Sequence, residues 1–242
     1  MKHFFSNRCA KLFAVAMTMT MSVTSYATTA DSRQQEDSDM RAPRIEADAN
    51  GIITLDQCPT FYDGLMVALS DDLTKASIYN GNQLIQTITA SEDDPFATDG
   101  DKSVHFLDAN FDGYVDIFIG AGVSRTYSSL LLWNPSTKQF VMVGASGGAG
   151  SLTFQNFMLH PESKSVFMGG SSSYCSSFFE RYIWNGNDLK VVEELTIVNV
   201  PKEYKNYNVN SRFTLKDDKG NVIVSAKKED KLPGLWKKIV IF

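Results

Sequence analysis

Short apolar runs separated by turn sequences are the feature that most limits what this chain of 242 residues can fold into. Asn80-Gly81 and Asn185-Gly186 are typical of tight turns between antiparallel strands, and each lies between two strand-like runs. No segment keeps a long apolar face at the helical period of about 3.6 residues, so we expect only short helices, near 70–74 and 201–207. The sequence therefore predicts an all-β fold, with antiparallel strands in a compact sandwich, a barrel or a small propeller-like domain.

Residues 1–27 have the pattern of a secretory signal peptide. A positively charged start precedes an apolar stretch at 12–23, and Ser25-Tyr26-Ala27 fits the small-x-small cleavage pattern. The charges of the start come from Lys2, Arg8 and Lys11. Because the apolar stretch is shorter than the roughly 20 residues that a membrane span needs, we expect cleavage rather than anchoring. The mature chain is predicted to be periplasmic or secreted and to have no membrane span.

The segment that follows, 28–50, is polar and acidic, and its composition predicts a disordered acidic tether. Residues 51–242 are then predicted to form a single β domain. The whole chain has 23 Lys and Arg against 28 Asp and Glu, a formal charge of -5. A general nucleic-acid binder would need a basic surface, so we expect no nucleic-acid partner. We expect the protein to be a monomer.

A loop of alternating oxygen-bearing residues, 108–116, carries the clearest chemical signal in the chain. Its spacing, D-x-N-x-D-G-x-x-D, matches the front of a calcium-binding loop, and Gly113 lies where such a loop turns tightly. The predicted calcium ligands are Asp108, Asn110, Asp112, the backbone carbonyl of Tyr114, and Asp116. The position where a helix–loop–helix calcium site has Glu is Ile119, and the flanking residues alternate like strands. We therefore expect a strand–loop–strand calcium site with a structural role; an acidic turn without metal is the alternative.

Two cysteines, Cys58 and Cys175, remain after removal of the signal peptide. An even pair in an oxidising compartment predicts one disulfide, and two buried free thiols are the alternative. Cys175 ends a polar run of small residues with one aromatic side chain. We predict that this run is a protruding recognition loop, with a flexible connection as the alternative. The recognition residues would be Ser171, Ser172, Ser173 and Tyr174.

Patterns that would indicate catalysis are weak. Residues 144–148 match G-x-S-x-G, but that pattern needs a strand before it and a helix after it, and the residues that follow read as loop and strand. We found no Cys-x-x-Cys, His-Glu-x-x-His or phosphate-binding loop. The sequence therefore predicts a binding protein and not an enzyme. The alternatives are a cell-surface adhesion or propeller-type module, which would repeat its calcium loop, and a secreted hydrolase.

The order of motifs between Val104 and Glu194 resembles a known family, the periplasmic lysozyme-inhibitor-like domain of immunity proteins that belong to bacterial-killing secretion systems. The matching segments are Phe106–Asp116, Leu132–Asn134, Lys138–Phe140 and Arg181–Gly186. The resemblance implies a compact β domain with bound calcium. It also implies, as a possible partner, a secreted or periplasmic muramidase whose active-site cleft receives a loop of the inhibitor. Residues 196–242 have no counterpart in this resemblance.

Overall fold

The structure is a computed structural model, and it describes residues 40–90, 95–97, 102–120, 128–143, 156–173, 176–200 and 210–240. The described strands are β1 (Ile53–Thr54), β2 (Leu65–Leu69), β3 (Lys75–Asn80), β4 (Gln83–Thr89), β5 (Val104–Leu107), β6 (Asp116–Ile119), β7 (Ser129–Asn134), β8 (Gln139–Met142), β9 (Met158–His160), β10 (Ser165–Ser173), β11 (Ser176–Asn185), β12 (Asp188–Val200), β13 (Asn210–Asp217) and β14 (Val222–Ala226). Short 3₁₀ turns cover Leu55–Gln57, Pro161–Ser163 and Glu229–Lys231, and one helix, α1, covers Gly234–Val240.

The strands form three antiparallel sheets, so the predicted all-β fold is confirmed. The sheets have the orders β2-β3-β4, β5-β6-β7-β8 and β1-β9-β10-β11-β12-β13-β14. The two Asn-Gly turns of the sequence join β3 to β4 and β11 to β12, and both glycines have positive φ, as tight hairpin turns require. Within the described residues the sheets differ in size and do not repeat as equivalent blades.

The four-stranded sheet is the middle layer of a face-to-face stack. Its strand β6 is buried at every position, because the two faces of the sheet are covered by different neighbours. Phe118 and Leu130 point into a core shared with the seven-stranded sheet. Ile117 and Leu131, one residue along each strand, point into a core shared with the three-stranded sheet. This alternation is the period of two that a strand imposes on its side chains.

The outer face of the seven-stranded sheet is covered by the C-terminal helix α1. Trp236 and Ile239 of the helix are almost fully buried against Phe167, Leu195 and strand β13. The rings of Phe167 and Trp236 meet edge to face, with centroids 5.3 Å apart. The sequence did not predict this helix, since seven residues are too few to display a helical period. No helix among the described residues is long and apolar enough to cross a membrane.

The chain is ordered before the predicted start of the domain. Met40 is buried, Val115 N donates to Met40 O at 2.9 Å, and Ala42 N donates to Gly113 O at 3.1 Å. The prediction of a disordered tether over 28–50 is therefore wrong for residues 40–50, and residues 28–39 lie outside the described part. The reason is that the segment is held by specific contacts, one buried apolar side chain and two backbone hydrogen bonds, which its average polarity does not reveal. Of the two predicted helices, 70–74 contains none in the structure, and 201–207 is not described.

Candidate metal centre and recognition hairpin

The predicted calcium loop connects β5 to β6, and the antiparallel register brings its ends together, with Leu107 opposite Asp116. Two of its residues have left-handed backbone conformations, Phe111 with φ 62° and Gly113 with φ 85°. Gly113 accounts for the predicted tight turn, because glycine takes positive φ without a steric cost. The strand–loop–strand arrangement expected from the sequence is therefore present.

The polar side chains of the loop fold over its own backbone amides. Asp108 accepts hydrogen bonds from Asp112 N and Gly113 N, both at 3.0 Å, through its two carboxylate oxygens. Asn110 Oδ1 also faces Asp112 N, at 3.2 Å. Asp112 accepts from Tyr114 N at 2.9 Å and from Asn110 Nδ2 at 2.9 Å. Side-chain oxygens of Asp108, Asn110 and Asp112 thus lie within a few ångströms of one another.

Asp116 is the member of the predicted set that lies deepest. Its side chain is fully buried, and its two oxygens accept from Ala109 N at 2.8 Å and from Trp133 N at 2.9 Å. It therefore connects the start of the loop to strand β7. Burial raises the pKa of Asp116 well above its usual value, and the nearby carboxylates of Asp112 and Asp108 raise it further. The structure gives Asp116 a positioning role that the spacing of the sequence did not indicate.

The donor set fits calcium in its chemistry, since it consists of carboxylate, amide and backbone carbonyl oxygens. A carboxylate oxygen has more than one lone pair, so Asp108 and Asp112 keep capacity beyond the amides that they accept. Within the described residues, no group of three or more His, Cys, Asp or Glu side chains is arranged around a single metal position. Calcium therefore stays a prediction. Asp108, Asn110, Asp112 and the Tyr114 carbonyl would hold it, whereas both oxygens of Asp116, the fifth predicted ligand, accept from the amides of Ala109 and Trp133.

Segments distant in sequence hold the loop in place. Arg41 forms a β-bridge with Tyr114 and stacks its guanidinium over the tyrosine ring, 4.8 Å from the centroid. Trp184 of β11 donates from Nε1 to Ala109 O at 2.7 Å. Sequence reasoning missed both contacts, because nothing in the local pattern of the loop specifies a partner so far away along the chain.

Three of the predicted recognition residues, Ser171, Ser172 and Ser173, lie at the end of strand β10. Ser171 pairs with Ser177 and Ser173 with Ser176, with a register shift between them, so the prediction of a loop over Ser171, Ser172 and Ser173 is wrong and these residues belong to β10. Before this point the two strands approach each other closely where β10 has glycine. At Gly169, for example, a Cβ atom would lie 2.4 Å from Phe178 O. Tyr174 lies outside the described residues.

The predicted disulfide is contradicted at its first cysteine. Cys58 is a free thiol in the described part of the chain; its side chain is buried, and Sγ lies 3.5 Å from Thr54 O. Burial in the core between the four-stranded and seven-stranded sheets raises the pKa of the Cys58 thiol to about 12, which keeps it protonated. The alternative of a buried free thiol is therefore the better description of Cys58, while Cys175 is not described.

Comparisons with known proteins give little further guidance. No protein-family model matches the chain, and no curated protein matches it. Among solved structures it is similar to one titled "Structure of a Xanthomonas Type IV Secretion System related protein", at 14% identity and a TM-score of 0.40. The match covers 78% of this chain and 99% of that one. Similarity at this level assigns neither a family nor a function.

Proposed function

We propose that this chain is an exported, calcium-stabilised binding protein that blocks peptidoglycan-cleaving enzymes of the lysozyme type. The signal-like residues 1–27 support export. The family-like order of motifs supports the inhibitor role, and the all-β fold is compatible with it. On this proposal the protein performs no chemistry of its own, and its target is a secreted or periplasmic muramidase.

The observation that supports the calcium part of the proposal is the closeness of the Asp108 and Asp112 carboxylates and the Asn110 amide in one short loop. Asp108 and Asp112 lie close enough to Asp116 to raise its pKa, and Asp112 does the same to Asp108. The ion pairs among the described residues join Arg181 to Glu193 and Lys190 to Asp218, so none of them neutralises the loop. Like charges held close together cost free energy unless a cation binds, and calcium is the cation that suits hard oxygen ligands.

Calcium bound here would act on the whole domain because the loop is a junction. It contacts the N-terminal segment through Arg41, strand β7 through Asp116, and the seven-stranded sheet through Trp184. Fixing the loop would therefore fix the relative positions of the four-stranded and seven-stranded sheets. The latter carries the β10–β11 hairpin on which Ser171, Ser172, Ser173 and Tyr174 would meet the enzyme.

Calcium dependence is tested by thermal unfolding of the mature chain with calcium and with a chelator. At a calcium concentration of about 100 times Kd, binding would stabilise the fold by roughly 2.7 kcal/mol, so the melting temperature should fall on chelation. Asp112→Ala should remove this difference, whereas Asp63→Ala, an exposed carboxylate outside the loop, should keep it. A melting temperature that does not depend on calcium would mean that the loop is an acidic turn without metal.

Inhibition is tested separately, by adding the mature protein to a panel of muramidases acting on peptidoglycan. We expect at least one enzyme to be blocked stoichiometrically, and Tyr174→Ala to weaken that block without changing the melting temperature. No inhibition across a broad panel would refute the inhibitor role and leave the calcium result standing.

A further inference from the structure

We propose that strand β14, the edge strand of the seven-stranded sheet among the described residues, binds an extended acidic segment of another protein as an additional strand. The inference rests on the C-terminal part of the chain and is independent of calcium and of muramidase inhibition. It assigns a binding role to a region for which the sequence resemblance offers no counterpart.

The two edges of the seven-stranded sheet differ. At one edge, β1 has two residues, and Ile53 is buried. At the other edge, β14 has five residues, and within the described part of the chain it pairs with β13 alone. Val222 and Ile223 of β14 are 57% and 50% exposed, which is unusual for large aliphatic side chains side by side. A strand edge of this kind offers unpaired backbone groups to an incoming strand.

The charge next to β14 indicates what kind of strand would bind. A groove of about 560 Å³ runs along the strand and is lined by Ile223 and, beyond the strand end, by Lys227, Lys228 and Lys231, with Asp230 as its acidic residue. Lys227, Lys228 and Lys231 are exposed. In a chain whose formal charge is -5, this groove is locally positive. A partner strand that carries carboxylates would gain charge complementarity there that a neutral or basic strand would not.

Lysine on a sheet edge can also protect the edge against pairing. That reading fits poorly here, because the residues of β14 itself, Val222 to Ala226, carry no charge. The lysines follow the strand and line the groove beside it. A second copy of this acidic chain is a less suitable occupant, because two molecules of the same net charge repel one another.

The test uses the mature chain and a fluorescent peptide of roughly ten residues, long enough to cover β14, in which valine and glutamate alternate. A matched peptide has lysine in place of glutamate. We expect the acidic peptide to bind, with an affinity that falls as salt is raised towards about 0.5 M, and the basic peptide not to bind. Hydrogen exchange should show new protection of the Val222–Ala226 amides when the acidic peptide is present. Equal binding of both peptides, or protection elsewhere only, would overturn the proposal.

Charge reversal locates the site. Lys227→Glu with Lys228→Glu should weaken binding of the acidic peptide by roughly tenfold or more, since two favourable pairs become repulsive. Arg44→Glu with Lys75→Glu changes the net charge equally at exposed positions outside the groove and should leave most of the affinity. Equal losses in the two variants would mean that net charge alone attracts the peptide. A dimer of the wild type that protects the β14 amides without any peptide would show that a second copy takes the edge, and would also overturn the proposal.

Discussion

Two titratable side chains, Asp116 and His160, are both buried, but they differ in how far their polar atoms are hydrogen-bonded. Asp116 is fully buried and both of its oxygens accept from backbone amides. His160 is 3% exposed; Nδ1 accepts from Ser163 N at 3.1 Å, while Nε2 is buried and has no hydrogen-bond partner in the described part of the chain. Asp116 is thus satisfied in hydrogen bonding although burial disfavours its charged form, and His160 keeps one buried ring nitrogen without a hydrogen-bond partner in the described part of the chain.

The difference follows from what each side chain can offer. A carboxylate only accepts, so Asp116 can accept from one amide in the loop and one in strand β7. His160 accepts at Nδ1 to cap the 3₁₀ turn that follows it, which places its proton on Nε2. That nitrogen faces the turn at Gly51, where a Cβ atom would lie 3.3 Å away. The comparison teaches that one buried polar group ties a loop to a neighbouring strand of the same sheet, and the other closes a local turn.

Removing the Asp116 carboxylate should be the most damaging change. Asp116→Ala leaves the amides of Ala109 and Trp133 buried without partners, which we expect to lower the free energy of unfolding by about 2–5 kcal/mol. Urea denaturation at neutral pH with a chelator present measures this loss. Asp112→Ala, at an exposed position of the same loop, should cost less than about 1 kcal/mol under these conditions. Equal losses would mean that the buried hydrogen bonds of Asp116 contribute no more to stability than the exposed Asp112 does.

The pH dependence of stability should separate the two groups further, with a smaller effect. Burial lowers the pKa of His160, the cations Lys238 and Arg181 lower it further, and Glu162 opposes them. Because the folded pKa lies below the unfolded value of 6.5, the contribution of His160 is present above that pH and is lost as pH falls through the folded pKa. Urea denaturation from pH 7.5 to 5 should show this decline.

His160→Asn is the control, since asparagine can accept from Ser163 N but does not titrate in this range. The variant should lose stability less steeply between pH 7 and 5 than the wild type. Asp116 acts with the opposite sign: its folded pKa lies above 3.8, so its contribution is present at low pH and is lost as pH rises. Identical slopes for wild type and His160→Asn would show that other groups set the pH dependence.

The tie between the loop and the seven-stranded sheet should be weaker than the Asp116 contacts. Trp184→Phe keeps an aromatic ring but removes the donor to Ala109 O, and we expect a loss of about 1 kcal/mol. Chemical denaturation gives this value, and any calcium effect on melting should shrink in parallel. A variant as stable as the wild type would show that packing alone holds the loop.

The smallest expected effect concerns the His160 turn. Ser163→Ala removes the hydroxyl that lies 2.8 Å from His160 Nδ1 but leaves the backbone amide that donates to the same nitrogen. We expect a loss below about 1 kcal/mol and an unchanged pH dependence. A larger loss, measured by the same denaturation, would mean that the hydroxyl and not the amide fixes the ring.

The sequence by itself determined the features that are local. The Asn80-Gly81 turn, the tight turn at Gly113 and the alternating strands around them depend on backbone preferences and on neighbours a few residues away. For the same reason, the spacing of Asp108 and Asn110 was enough to predict that they lie in a loop between two strands.

Only the tertiary structure decided the partners that lie far along the chain. These partners are Trp133 for Asp116, and Met40 and Trp184 for the predicted calcium loop. The burial of the Cys58 thiol and the packing of helix α1 against the seven-stranded sheet were also decided at this level. The physical reason is that burial and hydrogen bonding between distant segments depend on how the sheets stack. The seven-residue helix and the polar N-terminal segment are stabilised by contacts with the stacked sheets. Their own residues do not reveal these contacts, so the sequence pattern did not predict them.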